Sequence, residues 1–187
     1  MSLSNDSGSE HAIRIRDAAA DDYESVIQVL LSAWAEYDSL HPDTSELLKQ
    51  SLLLYAEPGP QERIVAELDG QIVGTAEVFH SSAGAYDGYN EAIAAPILRR
   101  LAVLPGWQRK GIATRLIQES ANRALLAGAS SLYLHTSAES NPSAVKLYER
   151  LGFIRSSDHD IRQGAYSIEG YRLDLSVSIE GGRSDES

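Results

Sequence analysis

Two short runs in this chain carry residue types that do chemistry, at spacings the chemistry needs. The first is Gln108-Arg109-Lys110-Gly111-Ile112-Ala113-Thr114. It lies between an apolar run, Ile97 to Val103, that Pro105-Gly106 breaks off, and an apolar pattern recurring at Ile112, Leu116, Ile117, Ala121, Ala124 and Leu125. A strand, a turn with two cations and a glycine, and then a helix start make an anion site. The first N–H groups of a helix have no intrahelical partner, and the helix dipole adds partial positive charge. At Gly111 the missing side chain lets an anion come close to the backbone. The second run is Asn141 to Phe153. Asn141 suits a helix N-cap, Pro142 the first helical position and Gly152 the position just past the end. Ala144, Val145, Tyr148 and Leu151 share one face of that helix, so Tyr148 points inward. A tyrosine with its ordinary pKa of about 10 is protonated at neutral pH and can give a proton to a leaving group.

The first run is not a nucleotide P-loop, because neither G-x-x-x-x-G-K-[ST] nor G-x-G-x-x-G occurs in it. Gln108-x-x-Gly111-x-Ala113, preceded by Val103-x-Pro105, resembles the [Q/R]-x-x-G-x-[G/A] signature of the GNAT superfamily of N-acetyltransferases. Asn141-x-x-Ala144-x-x-Leu147-Tyr148-x-x-x-Gly152-Phe153 resembles that superfamily's second signature, and it stands in the right order. The resemblance covers residues 12–176, with its specific part at 97–153.

This resemblance implies a set of roles. Gln108, Arg109, Lys110, Gly111, Ile112, Ala113 and Thr114 would cradle the pyrophosphate of acetyl-coenzyme A. Strand amides at Leu101, Ala102 and Val103 would meet its acetyl and pantetheine groups, where a bulged strand splays from the next. Asn141 would bind the cofactor or its pantetheine arm, although its capping role needs no ligand. Tyr148 would lie near the sulfur as general acid. Glu77 is the residue matching a glutamate that acts as base through water, with His80, Glu91 and His135 as alternatives, or an amine deprotonated in bulk water. The implied reaction is direct transfer to a primary amine in a ternary complex. A catalytically silent acyl-CoA-binding module of the same fold is the alternative reading.

Several elements must position these groups. His11–Arg16 alternates as a first strand. Asp21-x-x-Glu24 is a capping-box variant opening a helix with its stripe at Val26, Ile27, Leu30, Leu31 and Trp34. A second helix is expected over Thr44 to about Tyr55. Arg63–Leu68 and Gln71–Phe79 flank Asp69-Gly70, a strong hairpin signal. Residues 80–94 read as a long polar connection whose Tyr86, Tyr89 and Glu91 are acceptor-side residues by position. Tyr37 and Tyr55 belong to the same group. Strands at 131–137, 154–155 and 170–175 complete the order. The expected class is α/β (α+β): a mixed, mostly antiparallel sheet of about seven strands with about four helices, splayed at the cofactor cleft.

Composition sets outer bounds. A chain of 187 residues that is 43% hydrophobic fits one domain with a real core. Residues 1–10 and 178–187 read as disordered tails and 11–177 as a single domain. No run reaches the roughly 18 apolar residues of a membrane span, and the first residues lack a signal-peptide pattern. The expectation is a soluble cytoplasmic protein. A formal net charge of −11 repels nucleic acid and anionic lipid and favours cationic acceptors such as amines. Small amines, antibiotics, amino acids, peptide N-termini and lysine side chains all remain open, and a homodimer is compatible. With no cysteine there is no disulfide and no cysteine acyl-enzyme. The five histidines are far apart without ligand spacing, so no metal site is expected.

Overall fold

The computed structural model describes residues 12–40, 59, 61–86, 93–163 and 166–176. The expected Thr44–Tyr55 helix, Tyr89, Glu91, His11, His41 and both tails lie outside these residues.

Eight strands form the sheet: β1 (Arg14–Asp17), β2 (Glu62–Leu68), β3 (Gln71–Phe79), β4 (Ile97–Val103), β5 (Ser131–Thr136), β6 (Ile154–Arg155), β7 (Ile161–Gln163) and β8 (Tyr166–Asp174). Among the described residues four α-helices accompany them: α1 (Tyr23–Leu40), α2 (Ser82–Ala85), α3 (Ile112–Leu126) and α4 (Pro142–Arg150). The strand order is β1-β2-β3-β4-β5-β8-β6, and β7 pairs with β8. Every pairing is antiparallel except β4 with β5. Neighbouring parallel strands need a crossover, and α3 supplies it.

The two faces of the sheet are covered separately. On one, Ile64, Ala66, Ala76, Leu98 and Val103 pack with Ile112, Leu116, Ile117 and Ala124 of α3. On the other, Val65, Ile72 and Ala102 meet Val26, Val29 and Leu30 of α1. Val29 belongs to the helix stripe although the sequence pattern passes over it. Gly74 brings α3 in close: a Cβ there would meet Ile112 Cγ2 at 3.0 Å and Leu116 Cδ1 at 3.1 Å. The start of α3 is thereby held against β3, beside the end of β4.

Several local expectations are corrected. The first strand runs to Asp17 instead of ending at Arg16. The capping box lies two residues earlier, with Ala19 as N-cap and the Asp22 carboxylate, which pairs with Arg16, accepting from the Ala19 N–H at 2.7 Å. Asp22 is the better placed acid because the Arg16–Asp22 bond holds its carboxyl below the usual range, against the opposing effect of burial. The 80–94 connection is not merely polar. It holds α2, and buried Ser82 bonds Ile93 through both N–H and Oγ, pinning Ala85 and Ile93 into a third cluster with Phe79, Ile97 and Tyr133. The strand β7 has no counterpart in the sequence reading, and β8 starts four residues earlier than expected.

Candidate active site

Pairing on the two sides of β4 creates the opening. Towards β5 it pairs only at Ile97↔Tyr133 and Leu98↔Leu134. Beyond Leu98 the two strands diverge. Towards β3 the register shifts between Thr75↔Ala102 and Glu77↔Arg99, so Arg100 and Leu101 stand opposite Ala76 alone. This is a β-bulge, and its first residue, Arg100, has a φ of 47°. Past the bulge, the Leu104 N–H bonds back to Val73. In an antiparallel strand, alternate residues direct both backbone polar groups to opposite sides. Val103 therefore turns its N–H and C=O to the open side, away from β3.

A cleft of about 510 Å³ occupies this opening. Leu101, Ala102 and Val103 form its floor. Gln108, Arg109, Gly111, Ile112, Ala113 and Thr114 form one wall, and Asn141 and Tyr148 stand on the other. The structure thus brings together every residue the sequence assigns to cofactor binding except Lys110. The Lys110 ammonium lies beside the cleft, 5.8 Å from the centre of the Trp107 ring. Trp107, Ser143, Ala144, Lys146, Leu147 and Arg150 complete the lining. Sequence reasoning misses Lys146 and Arg150 as site residues, although their helical spacing from Asn141 and Ser143 is a signal that they share α4's outer face.

The wall at the start of α3 presents backbone donors. The first intrahelical bond there is from Arg115 N–H to Gly111 C=O at 3.1 Å, so the N–H groups of Ile112, Ala113 and Thr114 precede the ladder. Gly111 adopts φ 79° and has no atom within 4 Å of where a Cβ would sit, so it faces open space as well as needing the left-handed conformation. Arg109, at φ 60°, turns the chain in the same sense. Gln108 Nε2 donates to the Val103 carbonyl at 3.2 Å, tying the loop to the open edge of β4. The charge pattern is also local. The chain carries −11 overall, yet among the described residues the cleft is lined by Arg109, Lys146 and Arg150 and by no carboxylate.

On the opposite wall, Asn141 caps α4 by accepting from the Ala144 N–H at 3.3 Å. Tyr148, 9% exposed, packs on Phe153 with ring centres 5.9 Å apart. Burial pushes its phenol up to about 12. Tyr148 is one of the residues lining the cleft, and among the described residues none hydrogen-bonds its hydroxyl. A buried hydroxyl in that condition is poised to donate to whatever enters.

Glu77 and Tyr86 lie elsewhere. Glu77 is fully buried on the α1 face of β3. Its Oε1 accepts from Arg63 Nε at 2.9 Å and from Gln61 at 3.4 Å, and its Oε2 accepts from Arg100. Tyr86 donates its hydroxyl proton to His135 Nδ1 at 2.9 Å, since His135 Nε2 is the nitrogen that donates, to the His159 carbonyl at 2.8 Å. Arg99 lies over the Tyr86 ring at 4.2 Å and donates to the Ala85 carbonyl. Burial, assisted by the Arg99 charge and opposed by the His159 carbonyl, brings His135 down to about 4. This imidazole is neutral at pH 7. His80 is a surface residue 3.8 Å from Glu62. No group of three or more histidine or acidic side chains able to hold a metal occurs among the described residues, and none of the described helices is long and apolar enough to cross a membrane.

The Acetyltransferase (GNAT) family model matches residues 23–153. The sequence matches none of the curated proteins. Similar solved structures include a GNAT-family acetyltransferase from Brucella melitensis in complex with acetyl-CoA, at 24% identity and a TM-score of 0.59, covering 95% of this chain and 92% of that one. A PaiA N-acetyltransferase from Thermoplasma acidophilum in complex with coenzyme A has 19% identity and a TM-score of 0.60, covering 87% and 99%. An acetyltransferase of the same family from Streptococcus pneumoniae has 23% identity and a TM-score of 0.60, again covering 87% and 99%. These likenesses establish the fold, which in this chain is a mixed, mostly antiparallel sheet that splays between β4 and β5.

Proposed function

The chain belongs to the GNAT family of acetyltransferases, and from that premise we propose that it moves the acetyl group of acetyl-CoA directly to a primary amine in a ternary complex. One observation carries this reading: the splayed β4 edge, the N–H groups that precede the helical ladder of α3 and a lining whose charged side chains, among the described residues, are all cationic meet at one opening. Coenzyme A is polyanionic at one end and a neutral amide arm at the other. The α3 end of the cleft suits the first and the strand edge suits the second.

Acetyl-CoA supplies an activated thioester. The Ile112, Ala113 and Thr114 amides hold the pyrophosphate, with Arg109, Lys146 and Arg150 adding charge. The Val103 N–H, on the open side of β4, donates to the carbonyl oxygen of the ligand as that oxygen gains charge. Tyr148 holds its proton at neutral pH and gives it to the departing sulfur. The acceptor meets the acetyl group from the α1 face of the sheet, where Arg99, Tyr86 and His135 stand. The acidic surface favours a cationic amine approaching from solution. The amine loses one proton to water before its lone pair attacks the thioester carbon, and a second as the amide forms and the carbon–sulfur bond breaks. The Tyr148 phenolate left behind is reprotonated from solvent.

The test is thiol release from acetyl-CoA in the presence of a panel of primary amines, from small polyamines to lysine peptides. Amine-dependent release with stoichiometric acetylated product is expected. Tight binding of acetyl-CoA with no amine-dependent release would support the silent module instead.

A further inference from the structure

We infer that Glu77 serves the cleft as a positioning residue, holding the β4 bulge through Arg100. The inference rests on the reading of the cleft as the acetyl-CoA site.

The bulge decides which groups β4 offers to the cleft. Ile97 packs with Phe79 and Tyr133 on the α1 side of the sheet, and Leu98 packs in the main core on the α3 side. Arg99 returns to the α1 side, over Phe79 and Tyr86. Strict alternation would send Arg100 to the α3 side. Instead it reaches Glu77 on the α1 side. Two consecutive arginines share one face, and the phase of everything after them is reversed: Leu101 and Val103 join the main core and Ala102 meets α1. A one-residue change of register would invert these placements and turn the Val103 N–H away from the cleft.

Arg100 is an unfavourable residue for the job. Its φ of 47° lies in the left-handed region, which costs a residue with a Cβ and costs glycine nothing. Something must hold it there. The Glu77 carboxylate does so with one oxygen, while its other oxygen is fixed by Arg63, itself buried and lying over the Tyr23 ring at 5.2 Å. The anchor is rigid because it is buried and bound on both sides: the Glu77 side chain is 0% exposed and those of Arg63 and Arg100 are 6% and 14% exposed. Abstracting a proton from an amine would require Glu77 to leave this clamp, whereas holding the bulge requires only that it stay.

The test compares Arg100→Ala with Arg100→Gly by calorimetric titration of acetyl-CoA. Both variants lose the same ion pair and leave Glu77 with Arg63. Only alanine then opposes the left-handed conformation, so it should bind about tenfold more weakly than glycine. In a Glu77→Gln background, adding Arg100→Gly should recover part of the lost acetyl-CoA affinity and kcat. Circular dichroism on each variant separates these effects from unfolding. Equal affinities for the alanine and glycine variants would overturn the inference. So would a folded Glu77→Gln variant with parental acetyl-CoA affinity and a reduced kcat, the signature of a base. A parent that binds no acetyl-CoA would overturn the reading of the cleft and this inference with it. A binding parent with indistinguishable variants would overturn this inference alone.

Discussion

Gln108 reaches back over the turn it begins and donates from Nε2 to the carbonyl of Val103, 3.2 Å away. That carbonyl and the Val103 N–H share the open side of β4. The bond therefore fixes the α3 end of the cleft to its strand end, so that a ligand spanning both meets them at a set separation.

Gln108→Glu replaces the donor with an anionic acceptor facing a carbonyl. Gln108 is exposed, so water takes up the freed carbonyl and the main effect of the new charge is repulsion of the anionic end of the ligand. Acetyl-CoA affinity should fall by about tenfold or more in calorimetry, with little change in Tm because the loop is exposed. Gln108→Ala should lose less, since it removes the bond without adding charge.

Lys146→Ala with Arg150→Ala removes two of the three cations lining the cleft. Each is solvent-accessible and screened, so each contributes modestly, on the order of 0.5 kcal/mol. The double variant should bind acetyl-CoA several-fold more weakly at low salt. The difference from the parent should shrink as salt rises towards about 1 M. A gap independent of salt would place these side chains outside the electrostatics of the site.

The cleft was legible in the sequence because its parts are local. A strand, a glycine turn and a capped helix announce themselves by spacing over a few residues, and Asn141, Gly111 and Tyr148 occupy the positions that spacing implies. The partners across the sheet were not legible. Arg63 stands opposite Glu77 because the β2–β3 hairpin shifts register between Ala66 and Glu67, and only the bulge in β4, again a feature of register between strands, puts Arg100 on that face. The same holds for Tyr86, read as an acceptor residue from a polar loop: its bond to His135 spans 49 residues. Ile161–Gln163 is too short to show alternation, so the β7–β8 hairpin has no sequence signal.

Burial of His135 gives a pH signature in stability. Its folded-state value of about 4 lies below the ordinary value of about 6.5. Between these values the unfolded chain binds more protons than the folded one, so stability falls as pH drops from about 6.5 towards 4. Thermal melts across that range should show Tm declining. His135→Gln, which keeps a donor and an acceptor, should flatten part of the decline. An unchanged slope would mean that His135 titrates normally and is not held between Tyr86 and His159.

Tyr148→Phe keeps the ring on Phe153 and removes only the hydroxyl. The acid role predicts a kcat about 10²–10⁴-fold lower, with KM for acetyl-CoA changed far less, because the interaction strengthens mainly as the carbon–sulfur bond breaks. Since burial raises the phenol to about 12, the parent should show no alkaline loss of rate near pH 10 from this group. A limb there that vanishes in Tyr148→Phe would mean that the phenol is not held in a dry site.

The most direct test of the cleft is calorimetric titration of acetyl-CoA into the parent and into Ala113→Glu. Ala113 lies in the first turn of α3 and lines the cleft. A glutamate at that place suits the helix dipole and should leave Tm unchanged or slightly higher. It also sets a negative charge where the pyrophosphate is proposed to bind. Close like charges in a partly buried site repel by a few kcal/mol, so the variant should bind at least tenfold more weakly than a parent that binds well. A parent that gives no heat of binding, or a folded Ala113→Glu variant with parental affinity, would contradict the account.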